Sequence, residues 1–106
     1  MNSNDSCIII KNYANGLSHI ASRESALFVR KIIENNLKNN KVIIDFHDIN
    51  ATQGYIDELI GVLVMEHGSR VIDKLIFRNC SNDLKSIISF VVSDRMEFYT
   101  RVPDIS

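Results

Sequence analysis

The stretch KVIIDFHDINATQGYIDELIGVLVMEHG, residues 41–68, decides the fold. Its first part, residues 41–46, is rich in β-branched side chains and apolar enough to form a central strand of a sheet covered by helices. Residues 52–67 then predict a helix, and Gly68 stands where a left-handed residue commonly ends one. Since a strand, a short loop and a helix follow each other directly, this stretch predicts one crossover unit of parallel α/β structure.

Similar units lie on either side of this stretch. Upstream, Ser22 predicts the N-cap of a first helix that runs to about Leu37, with apolar residues at helical spacing. Downstream, residues 74–80 predict another strand, and Ser81 or Asn82 predicts the cap of a third helix. The inward-facing stripe of that third helix consists of Leu84, Ile87, Ile88, Val91 and Phe98.

The amino-terminal part predicts a β-hairpin. Residues 7–11 form a β-branched run, Asn15-Gly16 is a dipeptide that tolerates the positive φ of tight turns, and residues 17–20 supply the returning strand. The complete order is therefore ββαβαβα. We expect an α/β fold with a small mixed sheet of about four strands, an antiparallel edge and three helices mainly on one face.

Length and composition restrict the function. A chain of 106 residues fits one domain, which we place at residues 7–99 between a flexible amino-terminal segment, 1–6, and a carboxyl-terminal tail, 100–106. The net charge of −1 argues against nucleic acid as a partner, and no apolar run is long enough to span a membrane. With no signal peptide and only Cys7 and Cys80, far apart, the sequence predicts a reduced, cytoplasmic protein.

The second helix carries the most specific pattern. At about 100° per residue, one side of it carries a stripe within about 60° of Gly54 that consists of Gly54, Asp57, Glu58, Gly61 and Met65. The opposite side carries the apolar residues Ile56, Leu59, Ile60 and Leu63, which are expected to cover the sheet. The stripe should therefore point away from the core.

Two glycines within a helix call for something that packs closely against them, because each costs about 1 kcal/mol relative to alanine. One interpretation is structural: Gly54 belongs to the capping turn, and Gly61 lets a neighbouring helix approach. The other is a docking surface, in which the small residues admit a partner backbone and the two acids meet donors or cations. The sequence leaves both interpretations open.

Thr52 also has two interpretations. A hydroxyl at the start of a helix usually caps it by accepting a hydrogen bond from a backbone amide. Alternatively Thr52 is a phospho-acceptor, since a phosphate there would face free amides and the positive end of the helix. Asp57 and Glu58, one turn along, would oppose that phosphate.

No pattern in the sequence indicates a reaction. Asp57 and Glu58 are adjacent, so their side chains diverge by about 100° on a helix, which suits a paired acid and base poorly. The three histidines, at positions 19, 47 and 67, show no metal-ligand spacing, and there is no glycine-rich phosphate loop. The sequence therefore predicts a protein without catalytic residues, metal or cofactor.

Several of these residues carry a family resemblance. Ser22-Arg23-Glu24-Ser25-Ala26, Ile44-Asp45-Phe46 and Thr52-Gln53-Gly54-Tyr55-Ile56-Asp57-Glu58-Leu59 together resemble the bacterial STAS-like domain family of unknown function, over about residues 21–98. The most specific part is the Gln-Gly-aromatic-x-Asp-Glu-Leu stretch at residues 53–59. In the first motif the family more often has Ser-Arg-x-Glu-Ala, whereas here the acid comes one position earlier, at Glu24.

The wider relatives of that family are the STAS domains of anti-anti-sigma factors. The resemblance implies a small sheet with helices chiefly on one side, and a regulatory role in bacterial signalling. In those regulators a serine at the start of the corresponding helix is phosphorylated by a kinase of the GHKL ATPase fold, which docks at that helix end. Gly54 falls at or next to the place of that serine, which leaves Thr52 as the nearest hydroxyl.

The leading hypothesis is a non-enzymatic regulatory module that docks a partner, a GHKL-type ATPase or kinase, at the amino end of the second helix. Its contact residues are Thr52, Gln53, Gly54, Asp57, Glu58, Gly61 and Met65. A first alternative is a small-molecule-binding or catalytic domain that uses Gln53, Asp57 and Glu58. A second is a homodimer that buries the apolar flanks of the second helix.

Overall fold

The structure is a computed structural model. It describes the backbone of residues 5–38 and 40–101, and the side chains of these residues up to residue 97. The strands are β1 (Ser6–Ile9), β2 (His19–Ile20), β3 (Val42–Asp45), β4 (Asn50–Ala51) and β5 (Leu75–Arg78). The helices are α1 (Arg23–Leu37), α2 (Gln53–Ile56), α3 (Val62–His67) and α4 (Asn82–Arg101). A π-helical turn, Asp57–Gly61, joins α2 to α3, so residues 53–67 form one continuous helix, the central helix.

The strands form two small parallel sheets. The larger has the order β1-β3-β5 with β3 in the centre, and the smaller pairs β2 with β4. The α/β fold class is confirmed, and so is the central position of the strand at residues 41–46. The mixed sheet with an antiparallel edge is wrong, because all the pairings among the described residues are parallel.

The predicted hairpin is wrong for the same reason. After β1 the chain curls into a 3₁₀ turn, Ile10–Tyr13, which puts Ile10 and Ala14 into the core. Asn15 and Gly16 do adopt positive φ, 53° and 82°, as the dipeptide predicted. The chain that leaves this turn does not return along β1, because β2 is only two residues long and pairs with β4.

The larger sheet has one face covered by helices and one face that is partly open. The alternate residues Ile8, Val42, Ile44 and Leu75 belong to the buried core. On the opposite face, Cys7 is exposed, and Ile9 and Ile76 retain 42% and 37% of their accessible surface. Since side chains alternate along a strand, this pattern places the helices on one side, as the sequence predicted.

The helix boundaries follow local capping chemistry. The hydroxyls of Ser22, Thr52 and Ser81 accept hydrogen bonds from the backbone amides of Ser25, Tyr55 and Leu84. The central helix ends at Gly68, whose φ of 74° is a conformation that residues with a side chain rarely adopt. These three caps confirm the predicted starts of the three helices, and Gly68 confirms the predicted end of the central helix.

The first and last elements of the described chain lie close to the domain bounds predicted, residues 7 and 99, which stay a prediction. Strand β1 begins at Ser6, and α4 continues to Arg101, into the predicted tail. Residues 1–4 and 102–106, and the side chain of Phe98, lie outside the described part of the chain. Within that part, no helix combines the length and the apolar character needed to cross a bilayer.

Strand β3 ends in a hydrogen-bonded carboxylate. Oδ1 of Asp45 accepts from the backbone amide of His47, at 2.9 Å, and from Nδ2 of Asn79, at 3.0 Å. The bond from Asn79 is the main cause that holds the pKa of Asp45 below its usual value. A carboxyl group whose pKa is lower in the folded state stabilises that state above its unfolded pKa, and this contribution disappears as the pH falls through the folded pKa.

We therefore expect Asn79→Gly to raise the pKa of Asp45 and to lower the free energy of unfolding more at pH 7 than at pH 2. Glycine is the suitable replacement because Asn79 has a φ of 58°, which glycine adopts without strain. Carboxyl-carbon NMR titration gives the pKa, and urea unfolding at both pH values gives the stability. An equal loss of stability at the two pH values would contradict this assignment.

Candidate functional site

The amino end of the central helix is the accessible part of the predicted site. Thr52 is half-buried and caps the helix, with its hydroxyl accepting from the Tyr55 amide at 3.2 Å. Gln53 is exposed and Gly54 is half-exposed. The capping interpretation of Thr52 is confirmed, and the three residues lie together at the surface.

The guanidinium of Arg23, from the first turn of α1, lies over Gly54. A Cβ atom at Gly54 would be 3.2 Å from Nη2 of Arg23. The Arg23 side chain is 60% exposed, and its Nη1 lies 3.9 Å from Asp57 Oδ2 and 3.7 Å from Glu58 Oε2. At these distances the acids orient the guanidinium electrostatically while its N–H groups stay available to another molecule.

The two acids are neutralised within the domain. Arg95 of α4 grips Asp57 in a bidentate pair, with Nε 2.7 Å from Oδ1 and Nη2 2.6 Å from Oδ2. Glu58 has Arg30 of α1 at 3.6 Å, in addition to Arg23. The hydrogen bond to Asp57 is the main cause that raises the pKa of Arg95, so this guanidinium stays charged across the physiological range.

The π turn brings a backbone group into the same network. Nη1 of Arg30 donates to the carbonyl of Glu58 at 2.7 Å, within the turn where the α-helical hydrogen-bond ladder is interrupted. The Arg30 side chain is only 11% exposed, and its Nε lies 3.4 Å from Glu34 without a hydrogen bond. A cation from α1 therefore holds the central helix at its irregular turn.

Gly61 and Met65 lie in a different environment from Gly54. Gly61 is buried, and a Cβ there would be 2.5 Å from Asp57 Oδ1, 3.1 Å from Val91 Cγ1 and 3.2 Å from Arg95 Cγ. This contact supports the structural interpretation of Gly61, in which a neighbouring helix packs against it. The expectation that the whole stripe points away from the domain is wrong at Gly61, because α4 covers it, and Met65 is half-buried.

Tyr55 places a polar atom in the core beside this site. Its side chain is fully buried, and its hydroxyl has no partner with hydrogen-bond geometry among the described residues. Burial raises its pKa to about 12, an effect that the nearby Ser25 hydroxyl partly opposes. The hydroxyl is therefore protonated at any physiological pH.

One group of side chains has the composition of a metal site. Ligand atoms of Glu34, Glu66 and His67 lie within 4.8 Å of one another, at the opposite end of the central helix. The sequence could not indicate this group, because α1 and α3 come together only in the fold. Arg30 already pairs with Glu34, which opposes a second cation there.

The clefts described lie away from Gln53, Asp57 and Glu58. One of about 740 Å³ lies beside the ends of β3 and β5 and includes His19, His47, Asp48, Asn79 and Ser81. One of about 560 Å³ lies at the carboxyl ends of α1 and α3, and one of about 580 Å³ lies between β5 and α4. The small-molecule alternative therefore has no support from these three clefts.

A family model matches the chain over residues 26–85. It is that of the STAS-like domain of unknown function. The protein belongs to this family. The match begins in the first turn of α1, includes β3, β4, the central helix and β5, and ends shortly after the start of α4. Comparison with curated proteins and with solved structures finds no match.

The contrast between the two glycines of this STAS-like domain gives a matched pair of substitutions. We expect Gly61→Ala to lower the free energy of unfolding by about 1–2 kcal/mol, because overpacking against Val91 and Arg95 exceeds the gain in helix propensity. Gly54→Ala should be neutral or stabilise by up to about 1 kcal/mol, because only the flexible end of Arg23 must move. Urea unfolding of both variants measures this difference, and a stabilising Gly61→Ala would contradict the packing.

Proposed function

We propose that this STAS-like domain is a non-enzymatic regulatory module that docks a protein partner at the amino end of its central helix. The docking surface consists of Thr52, Gln53, Gly54 and the Arg23 guanidinium above Gly54. Asp57 and Glu58 border this surface and orient Arg23. The observation that carries the proposal is the exposed Arg23 guanidinium, held over a residue without a side chain.

The geometry of Arg23 suits recognition of another protein. Arginine is enriched at protein interfaces because its planar group offers several donors and a flat surface at once. Ion pairs at 3.7 and 3.9 Å restrain the Arg23 group before any partner arrives, which reduces the entropy that binding must overcome. The surface also rests on a rigid base, since Tyr55 and Ile56, directly after Gly54, are fully buried.

A GHKL-type ATPase or kinase is the proposed partner class. This choice rests on the resemblance to the STAS domains of anti-anti-sigma factors, in which the corresponding helix end docks such an enzyme. Thr52 remains the proposed phospho-acceptor, at the surface that this enzyme would contact. Bacterial signalling and a cytoplasmic location belong to the same proposal.

The homodimer alternative is favoured less by the structure than by the sequence. Its argument was that the apolar flanks of the central helix need a cover. In the structure α1 and α4 enclose that helix; of its flank residues, Tyr55 and Val64 are fully buried within the monomer and Val62 is half-buried. Self-association therefore needs a different surface from the one proposed.

The docking proposal is tested by affinity capture from an extract of the cells that produce the protein, with and without ATP. We expect the wild-type protein to capture a GHKL-type ATPase in one nucleotide state. Gly54→Arg should abolish this capture, because a long cationic side chain would displace Arg23 and block the surface. Mass spectrometry identifies the captured protein.

Ser86→Arg, at an exposed position of α4, is the matched control, since it adds the same bulk and charge away from the surface. Thermal unfolding checks that both variants remain folded. Capture of the ATPase by Gly54→Arg at the wild-type level would rule out this docking surface. Failure of the wild-type protein to capture any such ATPase in either nucleotide state would rule out the partner class.

A further inference from the structure

Among the side chains of α4 that the structure describes, residues 82–97, full burial ends at Val91. Leu84, Ile88 and Val91 retain 8% or less of their accessible surface. Beyond Val91, the described side chains that contact the core, Val92 and Met96, are only partly buried. Residues 92–97, the distal segment of α4, are therefore attached more weakly than the first half of the helix.

A bidentate ion pair attaches the distal segment to the central helix. Arg95 donates two hydrogen bonds to Asp57, and the two side chains retain 30% and 23% exposure. A charge-assisted pair of this geometry is directional, and its partial exposure leaves it open to competition from another cation. This ion pair between Arg95 and Asp57, which we call the latch, is therefore easier to break than contacts within the apolar core.

The latch covers part of the stripe that sequence reasoning placed at the surface. Gly61 lies beneath Val91 and Arg95, and Asp57 has both carboxylate oxygens occupied by Arg95. If the distal segment moved away, Gly61 would present a shallow groove beside Val91, and Asp57 would lose both short hydrogen bonds and keep only the 3.9 Å ion pair with Arg23. Losing two charge-assisted hydrogen bonds from a half-buried carboxylate is costly, so an occupant that replaces the segment must supply a cation to restore them.

We infer that the distal segment of α4 is a displaceable cover, and that the partner of this domain replaces it with a helix carrying its own arginine or lysine to Asp57. The inference rests on the proposed function, which it extends from the amino end of the central helix to the groove at Gly61. The present occupant shows what fits: an arginine whose aliphatic stem packs against Gly61 while its guanidinium binds Asp57, as Arg95 does.

Hydrogen exchange tests the latch without any partner. We expect Arg95→Gln to speed amide exchange in residues 92–97 about tenfold, with no change around Leu84 and Ile88. Arg95→Lys keeps the charge and should restore much of the protection. Lys85→Gln, which removes a cation from the exposed side of the same helix, should behave as wild type. Unchanged exchange in Arg95→Gln would overturn the inference.

A labelled peptide of residues 87–101, IISFVVSDRMEFYTR, probes the groove itself. By fluorescence anisotropy, it should bind the full-length Arg95→Gln protein at least about tenfold more tightly than the wild-type protein, whose groove is occupied. The same peptide with Arg95→Gln should lose this binding. Equal binding of the two peptides would overturn the requirement for a cation.

Capture of the ATPase then separates this inference from the proposed function. Stronger capture by Arg95→Gln than by wild type supports the cover, whereas unchanged capture together with faster exchange overturns its regulatory role. Absence of the ATPase from every capture, with the exchange and peptide results as expected, overturns the proposed partner class and leaves the displaceable cover supported.

Discussion

Six side chains of the central helix have no solvent exposure: Tyr55, Ile56, Leu59, Ile60, Leu63 and Val64. Helices α1 and α4 pack around this helix, and its buried residues share one core with those of β3. Full burial of one large apolar side chain contributes about 1.5–3 kcal/mol, so this helix supplies a large share of the driving force for a domain of this size. The enclosure has a consequence for the rest of its surface. Asp57 and Glu58 are drawn in with the apolar residues and must find cations inside the domain.

Three arginines from two neighbouring helices meet that requirement in different ways. Arg30 is nearly buried and also binds the Glu58 carbonyl at the π turn, so it fixes the helix to α1. Arg95 occupies both oxygens of Asp57 and ties down the distal part of α4. Arg23 remains exposed and makes only long ion pairs. The same two acids thus have a structural role on one side and orient Arg23, the proposed docking group, on the other.

The sequence predicted the elements whose signals are local. The caps at Ser22 and Thr52, the stop at Gly68 and the apolar face of the central helix were correct because each depends on neighbouring residues. The hairpin failed because strand pairing depends on partners distant in sequence, and Asn15-Gly16 predicts a turn without saying which strands it joins. The arginine partners of Asp57 and Glu58 were likewise invisible, since Arg95 lies 38 residues from Asp57.

One helical wheel described both glycines and was right about only one, because a wheel does not show which neighbouring helix covers a face. A Cβ at Gly61 would lie 2.5 Å from Asp57 Oδ1, so these two positions share a face as the 100° steps assign, and α4 covers that face with Val91 and Arg95. Gly54 stays half-exposed, since the group over it is the exposed guanidinium of Arg23 from α1. Two glycines that look equivalent in the sequence therefore have different roles. The first leaves room for the exposed guanidinium of Arg23 at the surface, and the second lets a helix that carries another arginine approach the backbone.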